Sequence, residues 1–435
     1  MKRLTTALVL IFGSFGIAAC SGNGPEEEQT NQSESQFPSF CDVEEWECVQ
    51  FEDGPNLTGN RHGHQAFVLD YERVLLIGGF IRDADGLDRR VDTCEMVNPI
   101  TNETRVVTNG INQDCFIRTR RDATVVQLND KSLLAIGGAD AQGTRSFRTE
   151  RFNLETEEWE WAADMPQPAT NYQRYRSLNA MVLEDGRVFI LRVNGQFGQF
   201  NPDIPGGYLY DPEEDTWTQL DMPELEVSNV TGMLLPGTNE VLMILSEVDA
   251  MSKVPLIVED PELGELQYHQ GYPLRIYRYD IDSQEWDRVG TLDERGVGLT
   301  PSIHWLPERT WMLINVYGDD LRPTYGYLFD PGSNFRQKQF ERDPIPGRAL
   351  TVLPGDRLLY QSNDFAQYYD IETDRWFMFD AFAPGTFYTT LTQLQDCRIF
   401  GSGERALPPE GEGEDMITFE RRGIDTGYCT PVAAE

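Results

Sequence analysis

His62-Gly63-His64 brings two of the chain's four histidines together, and paired imidazoles are a candidate metal site. His64 also opens the apolar run His64 to Leu69, so a structural role at the head of a strand is the favoured reading. Asp83-Ala84-Asp85-Gly86-Leu87-Asp88 spaces three carboxylates as a calcium loop does. It lacks the distal bidentate Glu that an EF-hand needs. No cofactor is expected, and calcium at Asp83, Asp85 and Asp88 is the single candidate. The arginines form a third group. Arg61, Arg118, Arg120, Arg121, Arg174, Arg176 and Arg348 gather just before apolar runs, with Tyr172, Tyr175, Phe387 and Tyr388 at matching places. A guanidinium fork recognises carboxylates bidentately, and aromatic faces stack on sugars or peptides. Arg61, Arg120, Arg121, Arg174, Arg176 and Arg348, with Tyr172, Tyr175 and Tyr388, are therefore the candidate ligand contacts. The competing reading ties these arginines to loop carbonyls and neighbouring acids. No GxSxG, HExxH or P-loop is present, and no catalytic residue is assigned.

The cysteines divide into one and six. Lys2 and Arg3 precede an uncharged run over residues 4–19, which ends in Ile17-Ala18-Ala19-Cys20. That run suits a signal peptide and is short for a spanning helix. An aliphatic residue and two small ones before a Cys resemble the bacterial lipobox. The resemblance implies removal of residues 1–19, a lipid on Cys20 and a place in the bacterial cell envelope, held to a membrane by that lipid alone. Residues 20–40 read as the lipidated Cys and a polar tether, too poor in apolar side chains to fold. Cys41, Cys48, Cys94, Cys115, Cys397 and Cys429 remain. An even number in an exported chain points to disulfides, and without a CxxC pair a structural zinc site is not indicated.

The formal net charge of −36 excludes whole classes of partner. Nucleic acid needs a basic surface to replace counterions on phosphate, and anionic lipid needs a polybasic patch. Neither is expected here. The remaining partners are protein, peptide or glycan, with the chain itself monomeric.

The elements that must hold these residues recur along the chain. Ala123 to Leu128, a turn at Asn129-Asp130, Leu133 to Ile136 and Gly137-Gly138 read as a hairpin ending in a glycine pair. Arg151 to Leu154, a turn, and Trp159-Glu160-Trp161 add two more strands. The order returns at His64 with Gly78-Gly79, at Leu178, and near Val230, Pro301, Ala349 and Tyr388, making seven units. An aromatic precedes a Trp by seven positions in four of them: Phe152 and Trp159, Tyr210 and Trp217, Tyr279 and Trp286, Tyr369 and Trp376. Turn formers lie between, so each pair of rings should meet across a hairpin.

The glycine doublet and the aromatic–Trp spacing resemble the kelch repeat family. Units four to six lack the doublet, and unit five has Phe335 for the Trp. The resemblance implies an all-β, seven-bladed β-propeller over residues 41–435, each blade four antiparallel strands named a to d from the centre outward. The last unit supplies strands at Tyr388 to Leu394, Arg398 to Gly401 and Met416 to Arg421 but no Trp-bearing fourth strand. Glu44 to Gln50, carrying Trp46, is expected to fill that place and close the ring.

In such a topology the b–c and d–a loops share one side. Cys94 and Cys115 both fall there, so their pairing is plausible. Cys397 with Cys429 and Cys41 with Cys48 is one completion; Cys41 with Cys429 and Cys48 with Cys397 is the rival. Copper-radical oxidases also use kelch propellers, but their Tyr–Cys crosslink and ligand set cannot be assembled here. The leading expectation is a binding scaffold that presents b–c and d–a loops to a protein, peptide or glycan, including anionic ones. The alternative is an enzyme acting on an acidic sugar, by analogy with kelch-type isomerases. The long insertion 248–274 is expected to border the channel mouth beside Arg121, Arg174 and Arg176.

Overall fold

The computed structural model describes residues 50–57, 61–82, 88–109, 114–118, 120, 123–140, 146–166, 178–192, 207–220, 227–247, 256–260, 264–268, 272–296, 300–306, 311–317, 325–330, 337–341, 349–353, 357–361, 365–370, 375–380, 386–395, 398–405 and 426–430. Among these residues every regular element is a β-strand. Seven sheets have four antiparallel strands. The first comprises Gln65–Val68, Val74–Ile77, Cys94–Asn98 and Glu103–Val107. The second comprises Thr124–Gln127, Leu133–Ile136, Thr149–Asn153 and Glu158–Ala162. The third runs from Leu178–Val182 through Val188–Arg192 and Gly207–Asp211 to Thr216–Leu220. Longer strands build the fourth: Val227–Leu234, Glu240–Glu247, Tyr272–Asp280 and Trp286–Gly296. The fifth starts at Thr300–Leu306 and the sixth at Ala349–Leu353.

The seventh sheet joins the two ends of the described chain. Thr386–Gln393, Ile399–Arg405 and Thr426–Thr430 are its first three strands, and Gln50–Asp53 is the fourth. Phe51 faces Cys429 and Asp53 faces Gly427 in register. Two details differ from expectation: the third strand, and the N-terminal strand, whose described residues are Gln50–Asp53 where Glu44 to Gln50 was expected. The third strand is Thr426–Thr430, not Met416–Arg421, which lies outside the described residues, as does Glu44 to Val49. Cys429 therefore sits within a strand, opposite Ile399 on its other side. The choice fits the chemistry of β-strands: Thr426, Tyr428 and Thr430 are β-branched or aromatic.

Why these runs become strands is visible in their burial. The second strands, Val74–Ile77 and Leu133–Ile136, are apolar at every position and buried at every position. A strand alternates its faces, so full burial requires cover on both. Val74 and Leu76 pack with Leu57, Leu394 and Phe400 of the chain ends, while Leu75 and Ile77 pack with Leu133 and Ala135 of the second sheet. Leu134 and Ile136 then meet Val188 and Ile190 of the third sheet. Phe189 and Leu191 meet Val241, Met243 and Leu245 of the fourth, whose Leu242 and Ile244 meet Tyr327 and Phe329 of the fifth. In the first four sheets each second strand thus divides its residues between two cores. The fourth strands show the opposite pattern, with Glu158, Glu160 and Trp161 exposed at the sheet's edge.

The aromatic–Trp spacing produces ring contacts across the outer hairpins. Phe152 faces Trp159, Tyr210 faces Trp217, Tyr279 faces Trp286 and Tyr369 faces Trp376 in register. Ring centroids lie 5.2 Å apart in the first pair, 4.9 Å in the second and 4.4 Å in the third. First strands also adjoin in series: the second sheet's beside the third's, then third beside fourth, fourth beside fifth, fifth beside sixth, sixth beside seventh, and seventh beside first.

Two smaller sheets involve b–c connections, one of them joined by a strand that precedes the first sheet. Arg61–His62, Phe80–Arg82 and Asp88–Arg90 form one. Arg82 faces Asp88 in register; of the calcium-loop candidate, Asp83 and Asp85 lie outside the described residues. The insertion in the fourth sheet contains a second hairpin, Leu256–Asp260 with Gly264–Tyr268, and its last residues extend the third strand from Tyr272.

Candidate functional site

The doubled glycines have φ values of 67° and 91° at Gly78 and Gly79, and 70° and 92° at Gly137 and Gly138. Side chains rarely tolerate that left-handed region, which is why glycine stands there. In both sheets the turn brings a carbonyl to a buried arginine. Arg61 Nη1 donates to Gly78 O at 2.6 Å and Thr93 O at 2.9 Å; its Nη2 donates to Thr93 Oγ1 and Glu95 Oε1, both at 2.6 Å. Arg120 repeats this. Its Nη1 donates to Gly137 O at 3.1 Å and Arg148 O at 2.6 Å, and its Nη2 pairs with Glu150 Oε1 at 3.0 Å. Both ion pairs are buried, with side-chain exposures of 1% for each arginine and 0% for each glutamate. Arg61 and Arg120, expected among the ligand contacts, are thus buried and engaged within the fold. A buried guanidinium must be paired, and the fork fits two carbonyls and a carboxylate at once.

Glu150 does more than pair. Its carboxylate accepts the backbone N–H of Ile117 at 2.8 Å and that of Arg118 at 3.5 Å. Burial pushes this carboxyl above its ordinary range, against the opposing pull of Arg120 and the two amides. Burial likewise lowers the Arg120 guanidinium, against the pull of Glu150. The connection between the first and second sheets is tied down further by the Cys94–Cys115 disulfide, whose Cα atoms are 5.0 Å apart and whose residues are fully buried. Phe116 packs on Trp159 at 4.8 Å, and the Arg120 guanidinium carbon lies 4.9 Å from the Phe116 ring centre.

This anchored segment ends in side chains that face solvent. Ile117 and Arg118 line an open groove of about 510 Å³ together with Arg148 and Trp161. Trp161 is 52% exposed, a large apolar surface left in water. Arg148 sits over its ring at 5.6 Å and pairs with Asp164 at 2.6 Å. Among the described residues, nothing pairs with the Arg118 guanidinium. Arg148 precedes a third strand and Trp161 is near the end of a fourth strand, so the groove opens on the b–c and d–a side, at the outer edge of the second sheet.

The remaining expected contacts scatter or fall outside the described residues. Arg121, Arg174, Arg176, Arg348, Tyr172 and Tyr175 lie outside them, as do Cys20, Cys41, Cys48 and Cys397. Tyr388 is on the first strand of the seventh sheet, opposite Gly403. His64 is buried and hydrogen-bonded to Ser402 at 2.6 Å. Among the described residues, no group of three His, Cys, Asp or Glu is arranged to hold a metal. Trp161 and Arg148 were missed at the level of sequence. A signal existed: Trp159 and Trp161 share a strand face, and only one can fill the core position of the repeat. No family model matches this chain, and no curated protein matches it.

Proposed function

We propose that the chain is an extracytoplasmic binding scaffold, a seven-bladed kelch-type propeller whose b–c and d–a loops meet a protein, peptide or glycan. Seven four-stranded sheets, cores shared between successive sheets, and an N-terminal strand in the last sheet support the ring. The observation that carries the function is the engagement of Arg61 and Arg120 in internal ion pairs. An enzyme for an acidic sugar would keep such arginines open at the channel mouth. Here two of them are paired within the fold, and the b–c connections of the first and fourth sheets carry paired strands of their own, Phe80–Arg82 with Asp88–Arg90 and Leu256–Asp260 with Gly264–Tyr268. That arrangement suits recognition by loops on a rigid frame. In this reading residues 1–19 are removed, Cys20 carries lipid, residues 20–40 are the tether and residues 41–435 are the propeller.

The test is a glycan and peptide binding screen on the domain from residue 41, with the Leu256–Tyr268 hairpin replaced by a Gly-Ser turn as comparison. Binding that weakens in the replacement supports the reading. Turnover of an acidic sugar without stable binding overturns it. The anchor is tested separately: Cys20→Ser should abolish labelling by a fatty acid and release the chain from membranes.

A further inference from the structure

From the Trp161 groove we infer a docking subsite for an acidic peptide segment of a partner protein, a carboxylate beside an apolar side chain. This rests on the scaffold reading and names the chemistry of one contact. Three observations carry it. First, the groove is cationic in a chain of net charge −36. Among the described residues Arg118 and Arg148 line it, and Asp164 pairs with Arg148. Second, its apolar part is pre-formed. Trp161 remains 52% exposed although Arg148 covers one ring face, so one face and an edge are left for an aliphatic or aromatic side chain against Ile117. Exposed Trp and Arg on a rigid base are the residues that dominate protein recognition. Third, the base is rigid. The disulfide, the Glu150 hydrogen bonds to Ile117 and Arg118 and the Phe116–Trp159 contact hold the segment before any partner arrives. Little ordering cost is left for binding.

The division of labour follows from the partners. Arg148 is held by Asp164 and its own carbonyl is held by Arg120, so it orients Trp161. Arg118 has an exposed side chain beyond a tethered backbone and takes the incoming carboxylate. A peptide suits this better than a sugar ring, because Ile117 adds an aliphatic wall beside the free Trp161 face, which matches an apolar side chain rather than a ring edged with hydroxyls.

The experiment uses the full-length chain in mild detergent. The probe is a fluorescent pool of amidated hexapeptides with one glutamate next to a leucine or phenylalanine; the same pool with glutamine is the control, and trigalacturonate is the sugar probe. Fluorescence anisotropy should show binding of the glutamate pool that weakens with added salt. Arg118→Ala and Trp161→Ala should each weaken it by about fivefold or more, with Arg118→Lys retaining part of the affinity. Both side chains face solvent, so melting should not change; if Trp161→Ala lowers it, Arg118→Ala decides. Equal binding of the glutamine pool, no binding at millimolar peptide, or unchanged affinity in both variants overturns the subsite. Binding of trigalacturonate without the peptide overturns the peptide class. Peptide binding that survives both changes but is lost on replacing the Leu256–Tyr268 hairpin overturns this groove while leaving the scaffold standing.

Discussion

His64 Nε2 and Ser402 Oγ share a hydrogen bond of 2.6 Å, although 338 residues separate them along the chain. Both side chains are buried, and Thr390 Oγ1 extends the chain of bonds to Ser402 at 2.6 Å. This contact lies where the first and seventh sheets adjoin, beside the core that gathers Val74, Leu76, Leu394 and Phe400. It makes the histidine a fastener between the two ends of the fold.

Ser402→Ala should therefore destabilise the protein by about 1–3 kcal/mol, because it strips a buried imidazole nitrogen of this partner. Urea titration checks it through the unfolding midpoint. An unchanged midpoint would mean that the seam does not depend on this bond.

The buried arginines make a stronger prediction. Glu150→Ala leaves Arg120 uncompensated and removes the acceptor of the Ile117 amide, and should cost about 3–5 kcal/mol. Replacing both members, with Arg120→Met and Glu150→Leu, should recover much of that loss. A double variant no better than Glu150→Ala would show that the backbone tie, not the unpaired charge, dominates. Glu95 and Arg61 should behave alike in the first sheet.

Removing the disulfide with Cys94→Ala and Cys115→Ala should cost about 3 kcal/mol by the loop-entropy argument for a loop of this length. The melting temperature is the readout. The same variant should also loosen the groove, since Ile117 and Arg118 follow Cys115 directly, and native-state hydrogen exchange at those amides should quicken.

Alkaline pH provides a fourth test. Burial raises the Tyr210 phenol well above its ordinary value, helped by its hydrogen bond to Asp215. A phenol held neutral by the fold contributes fully below about pH 10, the unfolded value, and that contribution is lost as pH rises beyond it. Stability should fall through this range in the native chain and fall less steeply in Tyr210→Phe. Denaturant midpoints measured from pH 8 to 11 check the slope. Parallel slopes in the two proteins would falsify the assignment.

Local sequence was enough for the second strands such as Leu133–Ile136, because a short apolar run bounded by turn formers is readily buried as a strand covered on both faces. It was also enough for the ring pairs, since a fixed hairpin puts Phe152 opposite Trp159 and Tyr279 opposite Trp286. The Cys94–Cys115 pairing was legible from the side of the topology on which both residues fall, and the structure contains that bond. The third strand of the last sheet was not legible. Met416 to Arg421 reads as that strand in the sequence, whereas the partner of Ile399–Arg405 is Thr426–Thr430, a choice that only the pairing reveals. Arginine roles were beyond reach for a deeper reason. Arg61, Arg118 and Arg120 have the same side chain in nearly the same sequence setting. Whether a guanidinium meets a buried glutamate or water depends on a carboxylate 34 residues away for Arg61, and on the direction of its own strand start. Composition and period therefore determined the class of fold and the residue types near its loops. Tertiary structure decided which of those residues are internal bolts and which remain open, because burial and partnership are properties of the assembled chain.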